Sequence, residues 1–172
     1  MRFQWLILLA LSAQAHRGEE VATDLTVADP TISWAITGEF HEGDELITLH
    51  LDYETPFAAP FELMVPHRDG YAEFRPRFAV VGQGLPQPTL EELAALPQPL
   101  PEGAGAYVEL NGDSAREAYF EGVLRHAYWT TGATAVRLPA GESEVWIWSP
   151  EGTPGPFLFG FGVEENFTGK LQ

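Results

Sequence analysis

The chain has no cysteine in 172 residues. That one absence excludes disulfides, zinc–thiolate sites, iron–sulfur clusters and thiol catalysis, so a folded domain must be held by its core alone. Positive charge is scarce as well, with nine Lys and Arg against 25 Asp and Glu. Such a surface repels phosphate backbones and anionic lipid headgroups, which argues against a nucleic-acid partner. The apolar run at 5–11 is too short to cross a bilayer, and the rest of the sequence predicts no transmembrane segment. Catalytic motifs are missing too: there is no Gly-x-Ser-x-Gly elbow, phosphate-binding Gly-Lys-Ser/Thr loop, His-Glu-x-x-His helix or dinucleotide fingerprint. The motif inventory therefore favours a protein that is not an enzyme.

The beginning of the chain is its most informative segment. Met1-Arg2, the apolar run and the small-x-small site Ala13-Gln14-Ala15 together read as a signal peptide over 1–15. The exported product would begin at His16, with eight basic groups against 25 acidic, a balance of −17. Acidity of this size gives solvation and colloidal repulsion and leaves cationic partners open. Export without disulfides fits a bacterial periplasmic or cell-envelope protein better than a small eukaryotic secreted module.

After a polar lead over 16–28, which reads as an unstructured tail, period-2 alternation begins. Ile32, Trp34, Ile36 and Phe40 share one parity within 31–40, and Ile47, Leu49, Leu51 and Tyr53 share one within 47–53, which predicts a hairpin across the turn at 41–45. Further strands are predicted at 61–65, 78–81, 106–110, 119–124, 126–130, 134–138, 143–148 and 157–163. Asn111-Gly112 reads as a hairpin turn. Residues 82–105 form a long Pro- and Gly-rich connection, interrupted where Thr89 caps a short helix supported by Glu91 and Glu92. The pattern predicts an all-β fold, a single antiparallel β-sandwich of the jelly-roll or Ig-like class over 29–168, followed by a tail at 169–172. Its expected core is Ile32, Trp34, Ile36, Ile47, Leu49, Leu51, Leu63, Val65, Val136, Val145, Ile147, Leu158 and Phe161.

The stretch Leu138-Pro139-Ala140-Gly141-Glu142-Ser143-Glu144-Val145-Trp146-Ile147-Trp148-Ser149-Pro150-Glu151-Gly152, followed by the Gly-rich strand 155–162, resembles the terminal hairpin of bacterial pre-peptidase C-terminal-like sandwiches. In those modules an "LPAG" turn leads into a strand, a polar turn and a closing strand. The resemblance implies an accessory module with a binding or structural role rather than an enzyme, and it carries over no functional residue.

Several residues are candidates for a site. His16, if its amine is free, can chelate copper with a second histidine, since amine and imidazole nitrogens suit Cu(II); His50 is a candidate partner, as are His41, His67 and His126. The opposing expectation is that His16 merely opens the tail. Arg68, Arg75 and Arg77 form a basic tract that suits a carboxylate or sulfate, although Asp69 and Glu73 are nearby to neutralise it. Trp146 and Trp148 share one strand face opposite Val145 and Ile147; exposed, and joined by Trp129, they would form a platform for a glycan, whereas a cover from 82–105 would bury them. The leading expectation is a non-catalytic binding module with a protein or glycan partner at the envelope. The alternative is a copper-handling or carbohydrate-binding protein.

Overall fold

The computed structural model describes residues 17–110, 115–121 and 125–162. The signal segment, His16, Asn111-Gly112 and the tail therefore lie outside the described residues. Two sheets face each other across one apolar core, as the all-β expectation required. The larger, seven-stranded sheet runs β1 (Arg17–Val21), β3 (Trp34–Phe40), β12 (Gly155–Phe161), β5 (Phe57–Pro66), β9 (His126–Thr130) and β8 (Glu117–Glu121), with β10 (Thr134–Leu138) also paired to β5. The five-stranded sheet runs β2 (Asp24–Val27), β4 (Leu46–Tyr53), β11 (Gly141–Trp148), β6 (Arg77–Gln83) and β7 (Ala104–Glu109).

Alternation explains which face each strand buries. Ile47, Leu49, Leu51 and Tyr53 of β4 enter the core while Thr48, His50 and Asp52 point away. All thirteen residues expected in the core are buried. Aromatic rings fill much of the space between the sheets, with Phe61 stacked on Phe161 at a centroid distance of 5.6 Å and Phe78 edge-on to Phe159 at 5.2 Å.

Three expectations need correction. The strands at 34–40 and 46–53 are not a hairpin: β3 pairs with β1 and β12, whereas β4 pairs with β2 and β11 in the opposite sheet. The same holds at the other end, where β11 and β12 belong to different sheets although only a turn separates them. Within the segment expected to be a tail, residues 17–28 are not one, because β1 runs parallel to β3 and β2 runs parallel to β4. Each of these short strands contributes one valine to the core, Val21 and Val27, amid polar neighbours. The two edge pairings are thus parallel within otherwise antiparallel sheets.

The connection between β6 and β7 carries α1 (Leu90–Ala95). Its start is a reciprocal capping box, in which Glu92 N donates to Thr89 Oγ1 at 3.2 Å and Thr89 N donates to Glu92 Oε2 at 2.6 Å. The helix itself buries nothing, but Leu96 and Leu100 beyond it, with Leu46 and Leu110, pack against the cluster on the outer face of the five-stranded sheet that contains Trp146 and Trp148. Gly105 makes this return possible, since a Cβ there would stand 2.1 Å from the Leu85 carbonyl oxygen.

Candidate functional site

The outer face of the seven-stranded sheet carries a cleft with a mixed acidic and apolar lining. The side chains of Glu62 and Met64 on β5, Leu158 on β12 and Tyr119 and Glu121 on β8 line it together with the bare backbone of Gly160. Strand parity puts them there: Phe61, Leu63 and Val65 point into the core, which sends Glu62 and Met64 outward, and the absence of a side chain at Gly160 leaves the floor hollow. The cleft holds about 200 Å³ and no lysine or arginine is among its described lining residues.

Its electrostatics are one-sided. Glu121 is 6% exposed, and Glu62 accepts a hydrogen bond from Thr130 Oγ1. Thr130 Oγ1 in turn accepts from Gly132 N at 2.8 Å, so the carboxylate of Glu62 is held in place by the turn beyond β9. Burial first, and then the negative charges of Glu121 and Glu62, raise the Tyr119 hydroxyl above its ordinary pKa. Tyr128 is raised by burial and by Glu121, partly opposed by Arg68. Both tyrosines thus register the charge of Glu121. Tyr119 and Phe120 remain 43% and 63% exposed on β8, which among the described residues pairs only with β9 and so forms the rim of the sheet.

The residues singled out in the sequence are dispersed. Trp146 and Trp148 are 1% and 5% exposed beneath Leu96 and Leu100, with Trp146 Nε1 donating to Glu144 Oε2 at 2.7 Å. The aromatic platform is therefore not open to solvent. Trp129 cannot join it, because β9 belongs to the opposite sheet; instead its ring lies 4.0 Å from that of His67. His50 sits between two carboxylates, with Nε2 3.4 Å from Asp24 Oδ1 and Nδ1 3.5 Å from Glu144 Oε1. Among the described residues no cluster of three or more His, Asp or Glu is arranged to hold a metal.

The basic tract divides. Arg68 is exposed. Arg77 shares a cleft of about 410 Å³ with Trp148 and Asp44. Arg75 shares a small cavity with Trp129 and with Arg116, which the sequence reading did not single out. Arg116 donates through Nη1 to the Phe74 carbonyl at 3.0 Å and through Nη2 to that of Ala72, and its guanidinium lies 5.9 Å from the Trp129 ring centroid. The expected neutralisation is partial: the negative charge of Glu73 acts on Arg116 against burial and the like charge of Arg75, but among the described residues no carboxylate lies within 4.0 Å of Arg75 or Arg116.

No known family matches. No curated protein matches in sequence either. Among solved structures, the chain is similar to a periplasmic inhibitor of g-type lysozyme from Aeromonas hydrophila, with 14% identity and a TM-score of 0.44 over 85% of this chain and 100% of that one. It is also similar to the pre-peptidase C-terminal domain of a collagenase from Bacillus anthracis, with 7% identity and a TM-score of 0.40 over 86% of this chain and 96% of that one. The second has the same fold family as the local resemblance around 138–162. Identities this low transfer neither residues nor ligands.

The acidic cleft went unread in the sequence because its parts come from β5, β8 and β12, far apart along the chain. One local signal was available: Glu62 is a lone carboxylate between Phe61 and Leu63 in an otherwise apolar strand, which marks the outward face of β5.

Proposed function

We propose that this protein is an exported, non-catalytic binding module of the periplasm or cell envelope, and that its acidic cleft receives a cationic side chain of a protein partner. Export rests on the segment 1–15; cleavage after Ala15 leaves β1, which starts at Arg17, whole. The observation that carries the binding role is the placing of Glu62, Glu121 and Tyr119 around one hollow on an outer sheet face. Size selects the ligand class. A small-molecule site spans roughly 300–1,000 Å³, and about 200 Å³ here suits a single long side chain better. Chemistry selects its sign, because carboxylates beside an aromatic ring favour an ammonium or guanidinium whose alkyl stem lies on Met64 and Leu158.

The test uses pentapeptides with a central Lys, Arg or Gln, titrated into the protein with backbone amide shifts recorded by NMR. Shifts should concentrate around Gly160, Tyr119 and Thr130, saturate with the Lys and Arg peptides and be absent with Gln. The Glu62→Gln variant should weaken binding about tenfold, the scale of one lost charge-assisted contact. Glu151→Gln on the far turn removes the same charge and should leave it unchanged. Shifts spread evenly over the acidic surface, or equal losses in both variants, would reject the cleft as the site.

A further inference from the structure

Of the four large hydrophobic side chains that stand exposed among the described residues, two, Tyr119 and Phe120, are consecutive on β8. Their exposure has two different meanings, because neighbouring residues of a strand point to opposite faces. Tyr119 lines the acidic cleft with Glu121 on the outer face of the sheet, and Glu117 has the same parity. Phe120 and Ala118 point the other way, towards the facing sheet: Ala118 lies opposite Trp129, which shares a cavity with the core-directed Leu63 and Val65. A phenylalanine of core-facing parity that is nevertheless 63% exposed shows that the apolar core does not extend beneath it. The backbone is open as well. Among the described residues β8 pairs with β9 alone, so its far edge presents alternate N–H and C=O groups to no other described strand.

We infer that β8 is a strand-addition site, and that its occupant is an extended segment of a partner protein in which basic and apolar residues alternate. The inference rests on the cationic-partner reading of the cleft and says how the cation is delivered. Pairing along β8 continues the sheet by one strand, so the alternate side chains of the added segment fall on its two faces. One set lies beside Glu117, Tyr119 and Glu121, where a lysine or arginine meets the acidic wall of the cleft. The other set lies beside Phe120 and covers its ring. Charge decides against a second copy of this chain as the occupant. Two β8 strands paired antiparallel about Tyr119 would set Glu117 of each opposite Glu121 of the other, and like charges directly opposed destabilise a pair. The same two glutamates favour a basic strand, and β8 holds no lysine, arginine or proline to blunt its edge against one.

The experiment uses a pentapeptide with blocked ends, Val-Lys-Val-Lys-Val, and the same peptide N-methylated at its three central amides, which keeps the charges but removes donors from both edges. Each is titrated into the full protein, and hydrogen exchange of the backbone amides is followed. The unmodified peptide should slow exchange along β8 and leave β1, at the other end of the same sheet, unaffected. The N-methylated peptide should bind about tenfold more weakly, the scale of two lost main-chain hydrogen bonds. Phe120→Ala, which removes an exposed ring and no packed one, should weaken the unmodified peptide about fivefold. Equal affinity for the two peptides, or no slowing of exchange in β8, would overturn strand addition; a lysine response that still depended on Glu62 would then leave the cleft reading standing without it. Sensitivity to N-methylation that ignored Glu62→Gln would uphold strand addition and remove the cleft. A dimer of the free protein in sedimentation, dissociated by Phe120→Ala, would overturn the inference by making a second copy the occupant.

Discussion

Glu45 closes the loop that takes the chain from one sheet to the other, and its removal should be felt in a pH-dependent way. Its carboxylate accepts three backbone hydrogen bonds: Oε1 from His41 N at 2.7 Å and Glu42 N at 3.0 Å, and Oε2 from Gly43 N at 2.7 Å. Chiefly through the Glu42 amide, with help from its own amide and those of His41 and Gly43 and against a smaller opposing effect of burial, the folded state holds its pKa at about 2 against an ordinary 4.5. The folded pKa is depressed, so the contribution is full above about 4.5 and disappears as pH falls towards 2. That gap corresponds to at most about 3.4 kcal/mol. Because the side chain stands largely in water, we discount it to about 1.5 kcal/mol. Glu45→Gln keeps an acceptor for His41 and Glu42 but turns an amide donor towards Gly43 N–H, so most of this should be lost at pH 7. Urea unfolding followed by tryptophan fluorescence should show the midpoint lowered by about 0.5–1 M at pH 7. The two curves should converge as pH falls from 5 to 2.5. A constant difference across that range would refute the carboxylate clamp, and no difference at pH 7 would show that the loop is held by something else.

Two further expectations concern the cover over the five-stranded sheet. Gly105→Ala drives a methyl group to 2.1 Å from the Leu85 oxygen and 2.5 Å from that of Pro86, so it should cost about 3 kcal/mol or more by displacing the returning segment; denaturant unfolding reads it directly, and a loss under about 1 kcal/mol would contradict the packing. Trp146→Ala should cost about 3–5 kcal/mol, measured the same way, because the ring is 1% exposed and bonded to Glu144; a near-neutral effect would mean that the tryptophan face is open after all.

Which residues point inward was readable from the sequence, while which strands are neighbours was not. Alternation records only the face a side chain takes, and two strands facing each other across a core alternate just as two strands of a hairpin do. Hence Ile36 and Phe40 on β3, and Ile47 and Leu49 on β4, were placed correctly in the core but wrongly in one sheet. The 41–45 segment can act as a crossing rather than a hairpin turn because Gly43, at φ +86°, approaches Gly152 in the other crossing so closely that a Cβ would lie 2.0 Å from its carbonyl oxygen. β1 and β2 escaped notice for the opposite reason: as edge strands with one buried valine each, they show almost no alternation, and backbone pairing with β3 and β4 holds them.

The placement of the cleft follows from how the two outer faces are treated. In β11 and β6 both parities are apolar, so the five-stranded sheet had to be covered on its outer side, and Leu96 and Leu100 supply that cover over Trp146, Trp148, Ala79 and Val81. The long connection between β6 and β7 is thus spent on one sheet. In the seven-stranded sheet the outward positions of β5, β12 and β8 mix Glu62, Gly160, Tyr119 and Glu121 with Met64 and Leu158, a composition suited to partial exposure and to a charged guest. A tryptophan-rich face invites a search for sugar ligands, but those rings serve the fold. The less conspicuous face, where carboxylates gather around a missing side chain at Gly160, is the one that carries an uncovered cleft.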